Sequence, residues 1–266
     1  MNQKNSTAIS AAIKTIIIMK ILVCISHVPD TTSKINFTDN DTKFDTNGVN
    51  FVINPNDEFG LTKAMMLKEQ KGAKVHVITV GDISVEPVVR KCLAIGADSA
   101  VRINKSPKDS YSTAFEIANY LKNNSYDLII AGKESLDYNG GAVPAMIAEM
   151  LDLPFINACN GLDIEGEQLK LSREIDGGRE IIKATCPLVI GGQKGLVEES
   201  QLRIPNMRGI MQARTKPLDV IDSVTEKEFS QSKSFKKPKE KGDCQLIDPN
   251  DVAKLVDLLH NESKVL

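Results

Sequence analysis

A chain of 266 residues has room for one sizeable core with appendages. Its net charge of -2 lacks the basic surplus of a nucleic-acid-binding domain. Five cysteines, Cys24, Cys92, Cys159, Cys186 and Cys244, show no C-x-x-C spacing and argue for a reducing compartment.

In the segment Met1 to Ile18, Lys14 interrupts the apolar core that a secretory signal needs. No uncharged apolar stretch reaches the roughly 18 residues of a membrane span. The Arg expected of an organellar transit peptide is missing before Arg90. The segment therefore reads as a disordered leader, or as sequence upstream of a start at Met19.

Lys20 to Ser26 (KILVCIS) reads as a buried first strand. The polar segment His27 to Asn50 reads as a long loop with a small hairpin around Ile35, Phe37, Val49 and Val52. Asn54-Pro55-Asn56-Asp57 then opens a helix, capped by Asn56 or Asp57 and ended by Gly72. Val75 to Val80 reads as a second strand, closed by Gly81. Ser84 is placed as the cap of the next helix, Ala100 to Ile103 as a third strand, and Thr113 to Asn123 as a helix with apolar residues at i, i+3, i+4, i+7. His27, His76 and His260 have no partner at metal-ligand spacing.

The stretch SYDLIIAGKESLDYNGGAVPAMIAEMLDLP, Ser125 to Pro154, joins a fourth strand ending at Gly132 to a helix through Gly140 and Gly141. Pro144 suits that helix's first turn. A helix entry with glycines presents unpaired N–H groups and the positive end of the helix dipole, which suits a phosphate; the alternative is a tight strand-to-helix connection and nothing more. Neither G-x-G-x-x-G nor G-x-x-x-x-G-K-[ST] occurs here.

Four strand-helix alternations from Lys20 to Leu151 predict an α/β fold, a doubly wound, mostly parallel sheet with helices on both faces. Ligands then bind beyond the carboxyl ends of the strands, near Ser26, Val80, Gly81, Gly132 and Lys133, with Asn54 and Asp57 from the long loop. From Phe155 to Gly191 the turns Glu165-Gly166 and Asp176-Gly177-Gly178 predict β-hairpins. Gln193 to Leu218 shows no periodicity and carries Ile204, Met207, Ile210 and Met211 in a polar setting, a pattern that suits partner contact; the alternative is that they tuck back onto the domain. Thr225 to Gly242 reads as a solvated, Lys-rich linker to a C-terminal helix capped by Asp248 or Asn250, with Val252, Leu255, Val256 and Leu259 on one side. The expected organisation is thus a leader over 1–18, an α/β domain over 19–223 and a linker with a helical arm over 224–266.

Several motifs together carry a family resemblance: KILVCISHVPD, INPNDEFGLTKAMMLKEQ, TVGD, RKCLAIGADSAVRI, YDLIIAGKESLD, LSREIDGGRE and IPNMRGIMQARTKPL. Over Lys20 to Ser223 the chain resembles the beta subunit of electron transfer flavoproteins. The resemblance implies an adenine-nucleotide-binding, Rossmann-like domain, a structural AMP, and an FAD held mainly by an alpha subunit. It also implies traffic of electrons from acyl-CoA or other flavin dehydrogenases to a membrane quinone oxidoreductase, with no membrane insertion and no catalytic residue of its own. The location implied is the bacterial cytoplasm or, alternatively, the mitochondrial matrix. Carried over by motif, the AMP site comprises Cys24, Asn54, Asp57, Val80, Gly132, Asp137, Asn139, Gly140, Gly141, Ala142 and Val143. The segment around Ile204 and Met207 resembles the loop that docks on dehydrogenases, and the C-terminal helix resembles an arm that embraces the alpha subunit.

Two departures bear on the cofactor. Gly141 and Ala142 stand where AMP-binding members usually carry Asn-Gln, which leaves phosphate contacts to backbone amides. Thr31 after VPD is similar to bifurcating members that bind a second FAD, although Ala142 replaces their usual Gln. Rival readings are an adenine-nucleotide hydrolase or transferase, for which Lys133 and Asp137 are the only polar pair in place, and a nucleotide-sensing module.

Overall fold

The computed structural model describes residues 18–166, 168–224, 227–240 and 242–266, so the expectation for the leader lies outside them except at Ile18. Two compact units emerge: one holds the chain up to Asn36 together with Asp45–Ser232, the other Phe37–Phe44 with Lys233–Leu266. In chain order the strands and helices begin with β1 (Lys20–Cys24), β2 (His27–Pro29), β3 (Phe37–Thr38), β4 (Lys43–Phe44), β5 (Phe51–Ile53) and α1 (Pro55–Lys71). They continue with β6 (Lys74–Val80), α2 (Glu86–Ile95), β7 (Ser99–Asn104), α3 (Ser110–Lys122), β8 (Leu128–Gly132) and α4 (Val143–Met150). Next come β9 (Phe155–Glu165), β10 (Gln168–Ile175), β11 (Gly178–Ala184), β12 (Leu188–Gly192), α5 (Met207–Ala213), β13 (Leu218–Asp222) and α6 (Val252–Asp257).

The first unit is organised by a nine-stranded sheet in the order β11, β10, β9, β12, β8, β1, β6, β7, β13. Its centre is parallel, and β9, β10 and β11 add the antiparallel hairpins. Alternation along the central strands sorts side chains to two cores. Ile21 and Val23 of β1 and Leu128 and Ile130 of β8 meet Leu61 and Met65 of α1 and Val89 and Leu93 of α2. Leu22, Cys24 and Ile129 face Ile117 of α3 and Ile147 of α4. The fold is the expected doubly wound α/β sheet with helices on both faces.

Several local expectations need correction. The hairpin pairs Phe37 with Phe44, not with Val49 or Val52, because left-handed Asp39, Asn40 and Asp41 turn the chain back early. Val52 instead pairs with Val28 between β5 and β2. Asn54, rather than Asn56 or Asp57, is the N-cap residue of α1, and Pro55 occupies its first turn. A 3₁₀ turn, Ile83–Val85, precedes α2; Asp82 caps it by accepting from Ser84 N, so Ser84 donates to the cap. Asp251, not Asp248 or Asn250, caps α6.

The segment expected to be aperiodic holds α5 and ends where β13 begins. A helix of 7 residues is too short to show a period, and β13 runs along the sheet edge beside β7 with mostly exposed side chains. The start of the expected linker is fastened to α3: Val224 N donates to both oxygens of Glu116, Phe229 N donates to Asp109 Oδ2, and the Phe229 ring packs edge-on against Tyr111.

Candidate functional site

From β1 the chain crosses through α1 and α2 to β6 and β7 on one side, then returns through α3 to β8 on the other side of β1. Strand order therefore reverses between β1 and β8, and their carboxyl ends form the crevice where open α/β sheets take ligands.

Asp57 closes this point from the first turn of α1. Its side chain is 2% exposed and accepts from Ser26 N at 2.7 Å, just after β1, and from Gly132 N at 2.8 Å, at the end of β8. Burial pushes its carboxyl up from 3.8 to about 7, while donors at Ser26, Asn54 and Gly132 pull the other way. A side chain on Gly132 would run into Asp57 Oδ1, so the glycine is what lets the carboxylate reach the strand end. Asn54 holds the next loop. Its Nδ2 donates to Glu134 O at 2.9 Å and its Oδ1 accepts from Leu136 N at 3.3 Å, while Asn56 Nδ2 adds a bond to Glu134 O at 3.2 Å.

These contacts divide the residues expected at the site. Asn54, Asp57 and Gly132 are joined in one hydrogen-bonded group whose side-chain atoms are spent on the protein itself. Cys24 is buried in the core, and burial, aided by the Asp57 carboxylate, pushes its thiol up. Val80 is buried at the end of β6, where Gly81 O accepts from Arg102 Nη1 at 3.0 Å. Asp137, Asn139, Gly140, Gly141 and Ala142 lie on the loop that leads from β8 into α4, and Val143 opens that helix. Ser135 N donates to Gly140 O at 3.0 Å, and Asn139 takes a left-handed φ of 53°. Gly141 sits against the Lys133 carbonyl.

Ala142 occupies the N-cap of α4 without a capping side chain. Among the described residues the backbone N–H groups of Gly141, Ala142 and Val143 have no acceptor, leaving the helix entry free to donate. Its surroundings are not cationic: Lys133 pairs with Glu134 at 3.6 Å, and Asp137 and Asp82 both act on half-buried His27. Burial lowers the affinity of His27 for its proton, and the two carboxylates partly restore it. Beside this loop a cleft of about 290 Å³ is lined by Asp30, Thr31, Ile53, Glu58, Lys91 and Leu136, among others, so the VPDT segment and the β8–α4 loop share one concavity.

A second candidate surface lies at α5. Asn206 caps the helix by accepting from Gly209 N at 2.8 Å, and Gly209 lies so close to the Ala94 carbonyl of α2 that no side chain fits. Arg90 of α2 donates to Ala213 O at 2.7 Å and Lys216 O at 3.0 Å, and Lys216 Nζ reciprocates to Leu93 O and Ala97 O at 2.9 and 2.6 Å. Each helix end is thus tied by the other segment. On this rigid seat Ile204 is 85% and Met207 77% exposed, and Met207 opens the helix rather than lying on a loop.

Sequence reasoning overlooked Asp82 and Arg102. Arg102 is a buried arginine inside an apolar strand, bonded to Glu86, Gly81 and Asn104, and that position was the signal to find it. No group of His, Cys, Asp and Glu that could hold a metal ion is present among the described residues, and no helix there is long and apolar enough to cross a membrane.

These features define a doubly wound α/β domain with a crevice at its switch point and a separate, exposed apolar surface at α5. A profile of the electron transfer flavoprotein domain matches residues 41–225. The chain is 34% identical over 262 residues to the electron transfer flavoprotein subunit beta of Bacillus subtilis (strain 168), covering 93% of this chain and 100% of that one. The corresponding subunit of Syntrophomonas wolfei is 34% identical over 202 residues (75% of this chain, 78% of that one). The human subunit is 30% identical over 209 residues (76% and 81%). The chain belongs to the electron transfer flavoprotein family, as a beta subunit. Membership implies a flavoprotein, an alpha-subunit partner and a role in carrying electrons.

Proposed function

We propose that this chain binds a structural AMP at the entry to α4 and, with its alpha subunit, completes an FAD site at the cleft beside Thr31 and Leu136. The heterodimer takes electrons from flavin dehydrogenases, acyl-CoA dehydrogenases among them, through the surface around Ile204 and Met207. It passes them to a membrane quinone oxidoreductase and works in the cytoplasm. The observation that carries the nucleotide site is the set of unpaired N–H groups at Gly141, Ala142 and Val143, which suit a phosphate at a helix entry. With Lys133 paired to Glu134 and Asp137 close by, neutral amides must do most of the binding, which fits one phosphate better than a diphosphate. In this arrangement Asn54 and Asp57 hold the loop and do not touch the nucleotide. Bound flavin supplies the redox chemistry, and this chain contributes position and enclosure. The exposed apolar side of α6, with Val252, Leu255 and Val256, is the natural seat for the alpha subunit.

The test is to co-purify the heterodimer, denature it and identify the released nucleotides by chromatography. One FAD and one AMP per heterodimer is the expected result; two FAD and no AMP would establish the bifurcating alternative, and no flavin would overturn the carrier reading. Gly141→Asp places a carboxylate beside the phosphate and is expected to abolish AMP retention. Gly141→Ala controls for the crowding at Lys133 O, 3.1 Å from the added carbon, and is expected to retain AMP.

A further inference from the structure

The second unit brings together two segments that are almost 200 positions apart in the chain, the hairpin of β3 and β4 and the tail that begins at Lys233. The hairpin is small but stiff. Its tip carries three consecutive left-handed residues, Asp39, Asn40 and Asp41, and is braced by Thr42 Oγ1 donating to Asp39 O at 2.7 Å and by a Lys43–Asp39 ion pair at 2.7 Å. On it the ring of Phe37 stacks against Phe235, centroids 4.9 Å apart and planes within 11°. Phe235 N donates to Asp41 O at 2.7 Å. Ring and backbone bond act at the same residue, so Phe235 is held in both position and direction. Between Phe235 and Asp248 the described residues form no helix or strand, and the next helix is α6 with its apolar side exposed.

We propose that Phe37 and Phe235 form an aromatic clip that sets where the C-terminal arm leaves the protein, making the β3–β4 hairpin a positioning element for subunit assembly. The role in assembly rests on the reading that α6 seats on the alpha subunit. A tethered helix binds in proportion to its effective concentration at its seat, and a fixed departure point raises that concentration by removing tether conformations that miss. Phe37 and Phe235 are not among the residues of the proposed nucleotide site or its neighbouring cleft, so they are positioning residues. Phe235 gives Phe37 a ring partner beyond Phe44, its cross-strand neighbour in the two-stranded hairpin.

Full-length chain is tested with and without its partner. An aromatic pair contributes on the order of 1 kcal/mol, so Phe37→Ala or Phe235→Ala is expected to weaken heterodimer formation about fivefold. The double variant is expected to be no worse than either single one, and Phe235→Tyr, which keeps the ring, is expected to restore affinity. In the free chain both alanine variants are expected to speed tryptic cleavage among Lys233, Lys236, Lys237 and Lys239. Additive effects of the two substitutions, or cleavage and affinity both unchanged, would overturn the clip. Deletion of residues 246–266 separates the two readings. If the deletion leaves affinity intact, the arm's role in assembly fails; if the deletion weakens assembly while the alanine variants do not, only the clip fails.

Discussion

The crevice between β1 and β8 and the surface at α5 invert the usual rule in opposite ways. At the crevice, polar Asn54 and Asp57 are buried; at α5, apolar Ile204 and Met207 stand in water. A buried polar side chain survives only when its bonding capacity is filled, and here it is filled by backbone groups of Ser26, Gly132, Glu134 and Leu136. An exposed apolar side chain survives when it has somewhere else to go. The first region is therefore fixed by internal bonds, and the second is the surface proposed above for a partner.

If this contrast is right, substitutions should act on stability at the crevice and on association at α5. The largest effect is expected from Asp57→Ala, which strands the Ser26 and Gly132 N–H groups and should lower unfolding free energy by about 3 kcal/mol in urea titrations. An effect under about 0.5 kcal/mol would mean that the carboxylate is not holding the strand ends. Next, Gly209→Ala drives a side chain into the Ala94 carbonyl, an immovable backbone group, and should cost about 2 kcal/mol while slowing electron acceptance, because α5 can no longer sit on α2.

The pH dependence sharpens the comparison further. Burial raises the Asp57 carboxyl in the folded protein, so the stability linked to its proton is fully present below 3.8 and is lost as pH rises through about 7. Unfolding measured across that window should show the difference between the protein and Asp57→Asn shifting in favour of the variant as pH rises; parallel curves would contradict it. The smallest stability effect belongs to Met207→Ala, expected within about 0.5 kcal/mol because the side chain is exposed. Its electron acceptance from a dehydrogenase should nevertheless slow with flavin content intact, and an unchanged rate would make α5 structural only.

The roles at the crevice were only half legible. The residue types at Asn54, Asp57 and Gly132 stood out by their place next to strand ends, but their bonds did not, since those reach positions 31 to 82 residues away. Asp57 looked like a helix cap because the acid stands in a helix's first turn; it turns inward because the two strand ends offer better-placed donors. The segment before Pro217 looked irregular because its one α-helix, of 7 residues, is too short to leave a hydrophobic period to read. The strand-helix rhythm, by contrast, was plain in the chain, because alternation and run length are local consequences of burying one or both faces of a strand.

By itself, then, the sequence determined the doubly wound sheet, which rests on local periodicity and short turns, and the family, which rests on its motifs. Only the tertiary structure decided that Asn54 and Asp57 face the protein, that Met207 opens a helix seated on α2, and that Phe37 meets Phe235. Those outcomes depend on which donors, carbonyls and rings arrive from distant parts of the chain, and no local pattern encodes that arrival.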